Sequence, residues 1–415
     1  MKYSQLLGKT KKTAPKDETS LNAQLLIRGG FIQKEMAGVY AFLPLGKRVL
    51  DKIIQVIREE MNAIGGQELL LGSLQNPEVW QKTDRWSDEA VDVWFRTALS
   101  NGTELGLAHT HEEPLTQLLT HYISSYKDLP VYPYQFQTKF RNELRARSGL
   151  LRTREFVMKD LYSFNTDETG LEKFYKEAQA AYHKVFNRLG IGDSTYLTFA
   201  SGGAFSKYSH EFQTVCEGGE DTVYLNREKG IAINKEVYTD EVIADLGLKK
   251  DELEEVRAIE VGNIFKLKTR FSEPLGLLYT DENGEQKPVV MGSYGIGPGR
   301  CMATVVELSH DEKGIVWPEE IAPYKVHLVG LNLEDVGVGK KAQEVYDSLA
   351  VGGIEVLFDD RTDVSAGQKF ADADLVGCPY RVVVSAKTSD EFEVKKRNEE
   401  KLEHISMEKL LSVLG

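Results

Sequence analysis

The sequence predicts an α+β fold for residues 1–321 and a smaller α/β domain for residues 322–415. In the first part, alternating apolar and polar runs are joined by short turn signals, as in antiparallel sheets, and long helical segments flank them. In the last part, apolar strands alternate with helices. The segment GIVWPEEIAP, with two prolines, separates the two patterns.

The N-terminal third is predicted to be helical first and stranded later. LNAQLLIRGG and LGKRVLDKIIQVIREEMNAIGG have helical apolar spacing and end at Gly-Gly pairs, so residues 21–66 are predicted to be largely helical. QELLLGSLQ is predicted as a strand. WFRTALSNGTELGLAHT carries the Asn-Gly signal of a hairpin, and EPLTQLLTHYISSY is an amphipathic helix.

The central part contains two predicted antiparallel strands, YQFQTKFRNELRARS and LRTREFVMKDLYSF, around a loop at Ser148-Gly149. TGLEKFYKEAQAAYHKVFNRLG follows as a helix. Residues 191–259 show weaker patterns, with short strands in GGAFSKYSHEF and DTVYLNREKGIAIN and an acidic helix in YTDEVIADLGLKKDELEEV. The next segments are a strand, a hairpin and a glycine-rich loop entering a helix: FKLKTRF, LGLLYTDENGEQKPVVMGS and GPGRCMATVVELSH.

The C-terminal domain is predicted from its alternating pattern. Its strands are YKVHLVGLN, IEVLFDD, YRVVVSAK and EFEVKK, and its helices are KKAQEVYDSLAVGG, QKFADADLVG and SMEKLLSVLG.

Composition indicates a globular chain: 41% of its 415 residues are hydrophobic and 28% are charged. No apolar run reaches the length of a membrane helix, and the N-terminus lacks a secretory signal. Three widely spaced cysteines predict neither a disulfide framework nor a zinc site, so we expect a reducing cytoplasm. Since the net charge is −13, any nucleic-acid surface must be local.

One such local surface is KFRNELRARSGLLRTREFVMKD, which concentrates five arginines. If strand alternation holds, Arg141 and Glu143 share one face of the first strand, and Arg152, Arg154 and Phe156 share one face of the second. Arginine forks bind phosphate or carboxylate, an aromatic face stacks on a purine, and a carboxylate accepts from an amine. The pattern favours either an ATP site or a salt-bridged sheet surface.

Two further patterns carry chemistry. In GSYGIGPGR, four glycines permit close backbone approach to a ligand, and Arg300 follows at the start of a helix, although such turns are often only structural. In AHTHEEPLT, Thr110 and Glu112 are two residues apart and suit a substrate ammonium group; the alternative is a helix N-cap with acids in the first turn.

Together these patterns resemble the class II aminoacyl-tRNA synthetases: FRNE with RTREF resembles their second motif and GSYGIGPGR their third. THEE, SHEF, VGNIF, GIVWPEEIAP and the C-terminal FADADLVGCPYRVVV resemble prolyl-tRNA synthetases of the bacterial type. The resemblance covers nearly the whole chain. It implies an antiparallel-sheet catalytic domain in residues 1–190 and 260–321, with an anticodon-binding domain in residues 322–415.

The resemblance implies that proline and ATP form prolyl-adenylate, whose prolyl group passes to tRNA(Pro). Arg141 and Arg300 would be catalytic, and Mg²⁺ would bridge the ATP phosphates; no side chain is assigned as a metal ligand. The implied proline-binding residues are Thr110, Glu112, Arg141, Asn165, Ser209 and His210. The implied ATP-binding residues are Arg141, Glu143, Arg152, Phe156, Glu260, Asn263, Gly295, Gly297 and Arg300.

The same resemblance implies that Asp359, Asp360, Arg361 and Asp374 read the anticodon, because acidic groups can accept hydrogen bonds from unstacked bases. The alternative is that these acids cap strand and helix ends. A homodimer is expected. Rival interpretations are another class II synthetase, or a degenerate paralogue that binds tRNA without catalysis.

Several positions depart from the family pattern. Residues 191–259 are too short for the editing domain that bacterial members usually carry, so we expect no clearance of mischarged alanine in cis and expect a separate trans-editing protein. Gly72 stands where the first motif has proline. Asn263 and Asn165 stand where histidine is common, and both can still form hydrogen bonds.

Overall fold

A computed structural model describes residues 1–144, 146, 148–201 and 208–414. The chain forms two compact units, which are described separately below. The first comprises Met1–Met36, Tyr40–Ile53 and Val305–Gly415, and the second comprises Ala37–Val39 and Ile54–Thr304. Within the described residues, no helix combines the length and apolarity that crossing a membrane requires.

The helices follow the predicted amphipathic segments closely in the middle of the chain. α5, for example, is capped by Asp167, whose side chain accepts a hydrogen bond from the backbone of Gly170, and it buries one apolar face. The helices are α1 Leu21–Arg28, α2 Pro44–Ala63, α3 Pro77–Gln81, α4 Glu112–Leu119, α5 Glu168–Arg188, α6 Asp240–Asp245, α7 Ser272–Leu275, α8 Pro298–Leu308, α9 Val336–Val351, α10 Ala366–Val376 and α11 Met407–Leu414.

The strands range from two-residue pieces to a strand of fifteen residues. They are β1 Ile32–Met36, β2 Val39–Phe42, β3 Gln67–Glu68, β4 Leu74–Gln75, β5 Phe95–Ala98, β6 Glu104–Leu107, β7 Pro133–Phe140, β8 Glu155–Asn165, β9 Thr195–Ser201, β10 Tyr208–Val215, β11 Asp221–Asn226, β12 Ile231–Asn234, β13 Glu254–Lys268, β14 Leu278–Thr280, β15 Gln286–Pro288, β16 Val290–Ile296, β17 His310–Asp311, β18 Gly314–Ile315, β19 Val326–Gly330, β20 Val356–Asp359, β21 Tyr380–Val384, β22 Glu391–Lys396 and β23 Leu402–Ser406.

The second unit contains a nine-stranded, mainly antiparallel sheet with the order β10-β9-β12-β11-β13-β16-β8-β7-β3. β13 is long enough to pair with three strands: with β11 near its start, with β10 in its middle and with β16 towards its end. Residues 191–259 are thereby part of the same sheet. The predicted α+β class is confirmed, since antiparallel strands and packed helices alternate in blocks rather than as βαβ units.

The C-terminal part of the first unit is a five-stranded sheet with the order β20-β19-β21-β22-β23. β19 pairs in parallel with β20 and β21, while β22 and β23 are antiparallel additions. α9 and α11 bury apolar side chains against one face, including Val345, Leu349, Leu410 and Leu414. The alternating strands and helices predicted there are confirmed, but β23 was not predicted.

Three element predictions were wrong in detail. Residues 21–66 are not continuously helical, because a β1–β2 hairpin turns at Gly38, whose φ of +77° suits glycine. QELLLGSLQ contains only the short strands β3 and β4. β7 ends at Phe140 and β8 begins at Glu155, so the arginines between them are not on paired strands.

Both predicted Asn-Gly hairpins close where expected, β5–β6 around Asn101-Gly102 and β14–β15 around Asn283-Gly284. β7 and β8 also pair antiparallel, as predicted, on either side of the connection that contains Ser148-Gly149. The predicted glycine-rich loop is different. Gly292 and Gly295 lie within β16, and only Gly297 lies in the connection to α8. Residues 202–207 of the predicted strand GGAFSKYSHEF, and Arg145 and Arg147 of the basic stretch, lie outside the described residues.

Candidate active site

The candidate site lies in the second unit, where β7, β8, β16 and β13 are adjacent. Pairing across these strands aligns Gly295 with Asp160 of β8 on one side and with Asn263 of β13 on the other. Two residues earlier, Ser293 pairs with Tyr162. The second and third sequence motifs are thus brought together by register in one sheet.

Arg141 is the first residue after β7, and its guanidinium carbon lies 5.4 Å from the ring centre of Phe156. Burial and then the positive charge of Arg300 lower the pKa of Arg141, while the negative charges of Glu260, Glu143 and Glu112 oppose that shift. These effects require that the groups lie near one another, because Coulombic interactions fall with distance. The sheet therefore gathers five of the predicted ligand-binding residues around one guanidinium.

Arg300 lies in the first turn of α8 and is held by three acceptors. Its Nε donates to the carbonyl of Leu151 at 2.9 Å, and its Nη1 donates to the carbonyl of Glu260 at 2.9 Å and to the Glu260 carboxylate at 3.3 Å. Asn263 donates to the other Glu260 oxygen at 2.9 Å. Glu260 therefore links the predicted residues Arg300 and Asn263.

Gly295 lies close to the Asn263 side chain. A Cβ atom on Gly295 would lie 2.7 Å from Asn263 Oδ1, which is closer than side-chain atoms approach a Cβ. A Cβ on Gly297 would meet only the Cβ of Arg300, at an ordinary 3.6 Å. Packing within the protein thus accounts for Gly295 but leaves Gly297 unexplained.

Arg152 precedes β8 and pairs with Glu220, with Nε and Oε2 3.4 Å apart and the arginine side chain 43% exposed. Ser148 donates to the same Glu220 carboxylate at 2.7 Å. Together with Glu260 and Arg300, Arg152 and Glu220 line a small polar cleft. Arg152 is therefore close to the Arg300 group and accessible from solvent.

Thr110 and Glu112 are brought together at the N-terminus of α4, where the Thr110 hydroxyl donates to Glu112 Oε2. Ser293 of β16 donates to the other carboxylate oxygen at 3.3 Å. The alternative interpretation, a helix N-cap at Thr110 or His111 with acids in the first turn, is also met: His111 is the N-cap residue and Glu112 and Glu113 lie in the first turn, although the His111 side chain forms no capping hydrogen bond. The Glu112 carboxylate, 12% exposed, remains available beside Arg141.

A second acid, Glu113, lies next in the chain and is fully buried. Its carboxylate accepts from Arg85 at 2.9 Å and from the Thr83 hydroxyl at 3.0 Å. Burial raises the pKa of Glu113 to about 7, although the charge of Arg85 opposes the shift. Arg85 also approaches Glu112, at 3.8 Å, so this arginine fixes the two adjacent acids.

Beneath the Thr110–Glu112 pair lies a buried polar network that sequence reasoning missed. Lys139 donates to Asp160 at 2.8 Å and lies 2.7 Å from His111 Nδ1, and both the lysine and histidine side chains are inaccessible to solvent. Tyr162 and Gln135 donate to the other Asp160 oxygen at 3.0 and 2.9 Å. Because buried polar groups are costly unless paired, this network fixes the ends of β7 and β8 and the start of α4.

The remaining predicted proline-site residues lie away from this network. Ser209 donates to the carbonyl of Ser201 at 2.7 Å, and His210 Nδ1 lies 2.8 Å from the Tyr175 hydroxyl. Asn165 is buried at the end of β8, where its Nδ2 donates to the Val290 carbonyl while its Oδ1 has no partner among the described residues. The structure gives none of these three a hydrogen bond to Thr110, Glu112 or Arg141.

Glu211 follows His210 and was also missed. Burial and the neighbouring charge of Glu260 raise the pKa of Glu211 to about 8. Its carboxylate accepts from Gln213 and Asn234 at 2.9 and 3.0 Å. Alternation along β10 offered a signal, since Glu211 in the segment SHEF faces the opposite side of the strand from His210.

The predicted anticodon residues lie in the first unit, around β20 and α10. Asp359 is fully buried and pairs with Arg361, whose Nη2 also lies 2.8 Å from Asp372. Asp360 accepts from the backbone and hydroxyl of Ser4 at 2.9 and 2.7 Å. Asp374 pairs with Arg381 at 3.0 Å and keeps 21% of its side chain exposed. Asp374 is therefore far more accessible than Asp359.

The fold and this site define a class II aminoacyl-tRNA synthetase architecture, and comparison with known families agrees. Residues 95–309 match the family "tRNA synthetase class II core domain (G, H, P, S and T)", and residues 325–415 match "Anticodon binding domain".

Comparison with full-length relatives shows which family of this class the chain belongs to. A proline–tRNA ligase of Caulobacter vibrioides (strain NA1000 / CB15N) is 37% identical over 430 aligned positions, covering 97% of this chain and 96% of the relative. One of Agrobacterium fabrum (strain C58 / ATCC 33970) is 36% identical over 425 positions, covering 96% of both chains. The chain belongs to the proline–tRNA ligase family.

A longer relative shows where family members differ. The proline–tRNA ligase of Dehalococcoides mccartyi (strain ATCC BAA-2266 / KCTC 15142 / 195) is 33% identical over 559 aligned positions, covering 99% of this chain and 98% of the relative. Since this chain has 415 residues, at least 144 of those positions have no counterpart in it. This chain therefore has the length of the shorter relatives.

Solved structures show the same fold. Prolyl-tRNA synthetase from Cryptosporidium parvum, complexed with halofuginone and AMPPNP, matches with a TM-score of 0.76 at 16% identity, covering 94% of this chain and 75% of that one. The Giardia lamblia enzyme in complex with prolyl-adenylate matches with a TM-score of 0.76 at 19% identity, covering 93% and 74%. At these identities the likeness establishes the fold alone.

Proposed function

We propose that this protein activates L-proline with ATP and transfers the prolyl group to the 3′ end of tRNA(Pro). The observation that carries the proposal is the gathering of Arg300, Glu260, Glu143 and Glu112 around Arg141, from β13 and from the segments that adjoin the sheet. An arginine between a carboxylate cluster and a second arginine suits a substrate that is both an amino acid and a polyphosphate.

The proline site is proposed at Thr110 and Glu112. The imino nitrogen of proline is cationic, so it would replace the Thr110 hydroxyl as a partner of the Glu112 carboxylate, leaving the hydroxyl oxygen as an acceptor. Ser293 and Arg85 hold that carboxylate from the other side. Asn165, Ser209 and His210 remain proposed contributors to the pocket wall.

The ATP site is proposed around Arg141, Phe156 and Arg300. The Phe156 face is half-buried and would stack on adenine, and Glu143, two residues after Arg141, would accept from the adenine amino group. Arg152 and Arg300 would bind the terminal phosphates, with Glu260 and Asn263 holding Arg300 in place. Gly295 and Gly297 would allow the backbone to approach the nucleotide.

In the first step, a proline carboxylate oxygen attacks the α-phosphorus of ATP, the bond to the bridging oxygen breaks, and pyrophosphate leaves. No general base is needed because the nucleophile is already ionised. Burial lowers the pKa values of His111 and His210 to about 4, so both are neutral near pH 7 and neither adds charge to the site. Arg141 would stabilise the charge that develops on the α-phosphate.

In the second step, a hydroxyl of the terminal adenosine of tRNA attacks the prolyl carbonyl, and AMP leaves. The anticodon is proposed to bind the C-terminal part of the first unit. Asp374, which is partly exposed, is the best placed of the predicted residues to meet a base. Asp359, Asp360 and Arg361 would stabilise the conformation of that surface through their own ion pairs and hydrogen bonds.

Mg²⁺ is proposed to accompany ATP and to neutralise its phosphates. The carboxylates of Glu211 and Glu260 would supply oxygen donors to such an ion; burial and then the neighbouring charge of Glu260 raise the pKa of Glu211 to about 8, and a cation would offset both effects. Among the described residues, no group of three or more acidic, histidine or cysteine side chains is arranged to hold a metal by itself. The ion would therefore be bound jointly by protein and nucleotide.

We further propose that the enzyme does not hydrolyse alanyl-tRNA(Pro). The lack of a counterpart for at least 144 aligned positions of the longer relative supports this. We propose that residues 191–259 stand in the place of the editing domain. Their strands belong to the catalytic sheet, through β9–β13. A separate trans-editing protein would then clear the error.

Homodimerisation and a cytoplasmic location complete the proposal. Cys301 and Cys378 are free thiols and are buried, which is compatible with a reducing compartment. The dimer is proposed from the family alone, and sedimentation of the purified chain would test it.

Aminoacylation tests the proposed function. Purified enzyme, ATP, Mg²⁺ and radiolabelled proline should charge tRNA(Pro) and should leave a tRNA specific for another amino acid uncharged. Charging of a different tRNA would indicate another class II synthetase. Tight binding of tRNA(Pro) without charging would indicate a degenerate paralogue.

A further inference from the structure

A basic cleft lies in the first unit, and none of its lining residues is assigned to catalysis. It has a volume of about 440 Å³. Its polar lining residues are Lys11, Lys12 and Arg28 from the N-terminal segment, Lys313 from the β17–β18 hairpin, and Gln368, Asp372 and Asp374 from α10. We call these seven residues the basic cleft. Its size falls within the usual range for sites that hold a nucleotide-sized ligand.

The cleft has a surplus of positive charge in a chain whose net charge is −13. Its two acids are already engaged: Asp372 accepts from Thr10 at 2.7 Å and from Arg361 at 2.8 Å, and Asp374 accepts from Arg381 at 3.0 Å. Four cationic side chains therefore lack a matching acid inside the cleft.

The cationic side chains of the cleft form few strong interactions within the protein. Lys11 donates to the neutral Gln33 side chain, and Lys313 lies 3.5 Å from Glu400, an exposed pair of little energetic value. Arg28 Nε is buried and has no hydrogen-bond partner among the described residues. An anionic ligand would satisfy a group that the protein itself leaves unpaired.

One wall of the cleft is fixed by the β17–β18 hairpin that carries Lys313. Arg397 donates to both Asp311 oxygens at 2.6 Å and to the Asp374 carbonyl at 3.0 Å, so it ties the hairpin to α10. Gly314 packs so closely that an added Cβ would lie 2.4 Å from Leu375 Cα. Lys313 is thus held beside Asp374.

The opposite wall is the N-terminal segment, which is attached to the same surface. The Arg361 guanidinium lies 4.1 Å from the centre of the Tyr3 ring, and Thr10 donates to Asp372. The backbone nitrogen of Lys11 donates to the Arg28 carbonyl at 2.7 Å. The positions of Lys11 and Arg28 are therefore coupled to the Arg361–Asp372 pair of the predicted anticodon surface.

We propose that the basic cleft binds the anticodon loop of tRNA, with Lys11, Lys12, Arg28 and Lys313 contacting backbone phosphates while Gln368 and Asp374 face an unstacked base. This inference rests on the proposed function and adds an N-terminal contribution to it. Phosphate contacts supply affinity and base-edge contacts supply sequence discrimination, so a cleft with both kinds of group suits RNA better than a simple anion.

Charge reversal on each wall tests the proposal. The variants are the double substitution K11E/K12E and, on the opposite wall, K313E. The matched control is K340E/K409E, which reverses two exposed lysines that do not line the cleft. For each full-length protein we would measure proline-dependent ATP–pyrophosphate exchange, the KM for tRNA(Pro), and affinity for an RNA hairpin comprising the anticodon stem and loop at several salt concentrations.

We expect K11E/K12E to weaken hairpin binding and raise the tRNA KM by about tenfold or more, with a salt slope reduced by roughly 0.7–0.9 per lost phosphate contact. K313E should act in the same direction, and exchange should stay unchanged in all variants. Unchanged hairpin affinity in both cleft variants would overturn the proposal, as would loss of tRNA affinity without loss of hairpin affinity. Failure of the proposed function would instead appear as absent exchange in the unsubstituted enzyme.

Discussion

At the scale of single residues, the site is organised by charges that the chain does not fully neutralise. Arg141 and Arg300 are close enough for the charge of one to lower the pKa of the other, and Glu260 bonds directly to Arg300. A bound phosphate would relieve the repulsion between the two guanidinium groups. The same logic applies to Glu112, whose carboxylate would be better matched by a substrate cation than by the Thr110 hydroxyl.

The first prediction concerns Arg141. Replacing it with alanine should lower kcat for proline-dependent ATP–pyrophosphate exchange by about 10²–10³, or roughly 3–4 kcal/mol, the usual cost of one group that stabilises developing charge. R141K should recover only part of the loss, because lysine lacks the fork. R96A, on the exposed strand β5, serves as the control and should retain activity. Normal exchange by R141A would remove Arg141 from the mechanism.

The second prediction concerns the buried Glu113, whose pKa is raised to about 7 from an ordinary value of 4.5. An acid with a raised pKa in the folded state stabilises the fold below its unfolded pKa, and that contribution is lost as pH rises through about 7. The free energy of unfolding, measured with urea at about pH 5 and at about pH 8, should therefore fall less between these two pH values in E113Q than in the unsubstituted protein.

The control for this experiment is E78Q, which alters an exposed glutamate in α3. Its pH dependence should match that of the unsubstituted protein. Glu211, whose pKa is also raised, is unchanged in both variants, so only the difference between proteins reports on Glu113. Equal slopes in E113Q and the unsubstituted protein would contradict the argument.

At the scale of elements, the site depends on how strands end and pair rather than on their apolar pattern. Alternation predicted two strands around residue 150, but it could not show that β7 stops at Phe140, because Arg141 and Glu143 continue the alternating spacing. The backbone of Arg141 still donates to the Arg154 carbonyl in register with β8, but that of Asn142 donates to the Val93 carbonyl instead, so the pairing stops. Such long-range partners leave no local signal.

The buried network of Lys139, Asp160 and His111 could not be predicted from local sequence either. Lys139 and Asp160 are ordinary surface residues by type, and their burial depends on pairing between β7 and β8 together with His111 from α4. The Thr110–Glu112 pair was easier to predict, because two residues of complementary chemistry lie two positions apart. The sequence thus indicated most groups proposed to meet substrate, while the residues that hold them became evident only in the fold.

The third prediction distinguishes the two glycines at the β16–α8 junction. G295A should displace the Asn263 amide and break its hydrogen bond to Glu260, at a cost of about 1 kcal/mol of stability. G297A has room within the protein, so its melting temperature should be unchanged while its KM for ATP rises several-fold. If G297A binds ATP normally, the backbone at Gly297 does not approach the nucleotide.

At the scale of the whole molecule, two compact units divide the proposed tasks between chemistry and tRNA recognition. The region that separates the second and third motifs contributes β9–β12 to the catalytic sheet instead of forming a domain of its own. The chain is consequently as long as its shorter relatives, which align over 425 and 430 positions.

The fourth prediction follows from that length. A pocket that accepts proline excludes the smaller alanine only weakly, since missing methylene groups are worth about 1–3 kcal/mol. The isolated enzyme should therefore form some alanyl-tRNA(Pro), and that product should decay no faster with enzyme than in buffer. Faster decay in the presence of enzyme would reveal a hydrolytic site that this account does not contain.

Whether this site activates proline can be measured by ATP–pyrophosphate exchange with each standard amino acid in turn. We expect strong exchange with proline, weak exchange with alanine and none with bulky or acidic amino acids. Strong exchange with another amino acid, or none with any while the protein remains folded and binds ATP, would contradict this expectation.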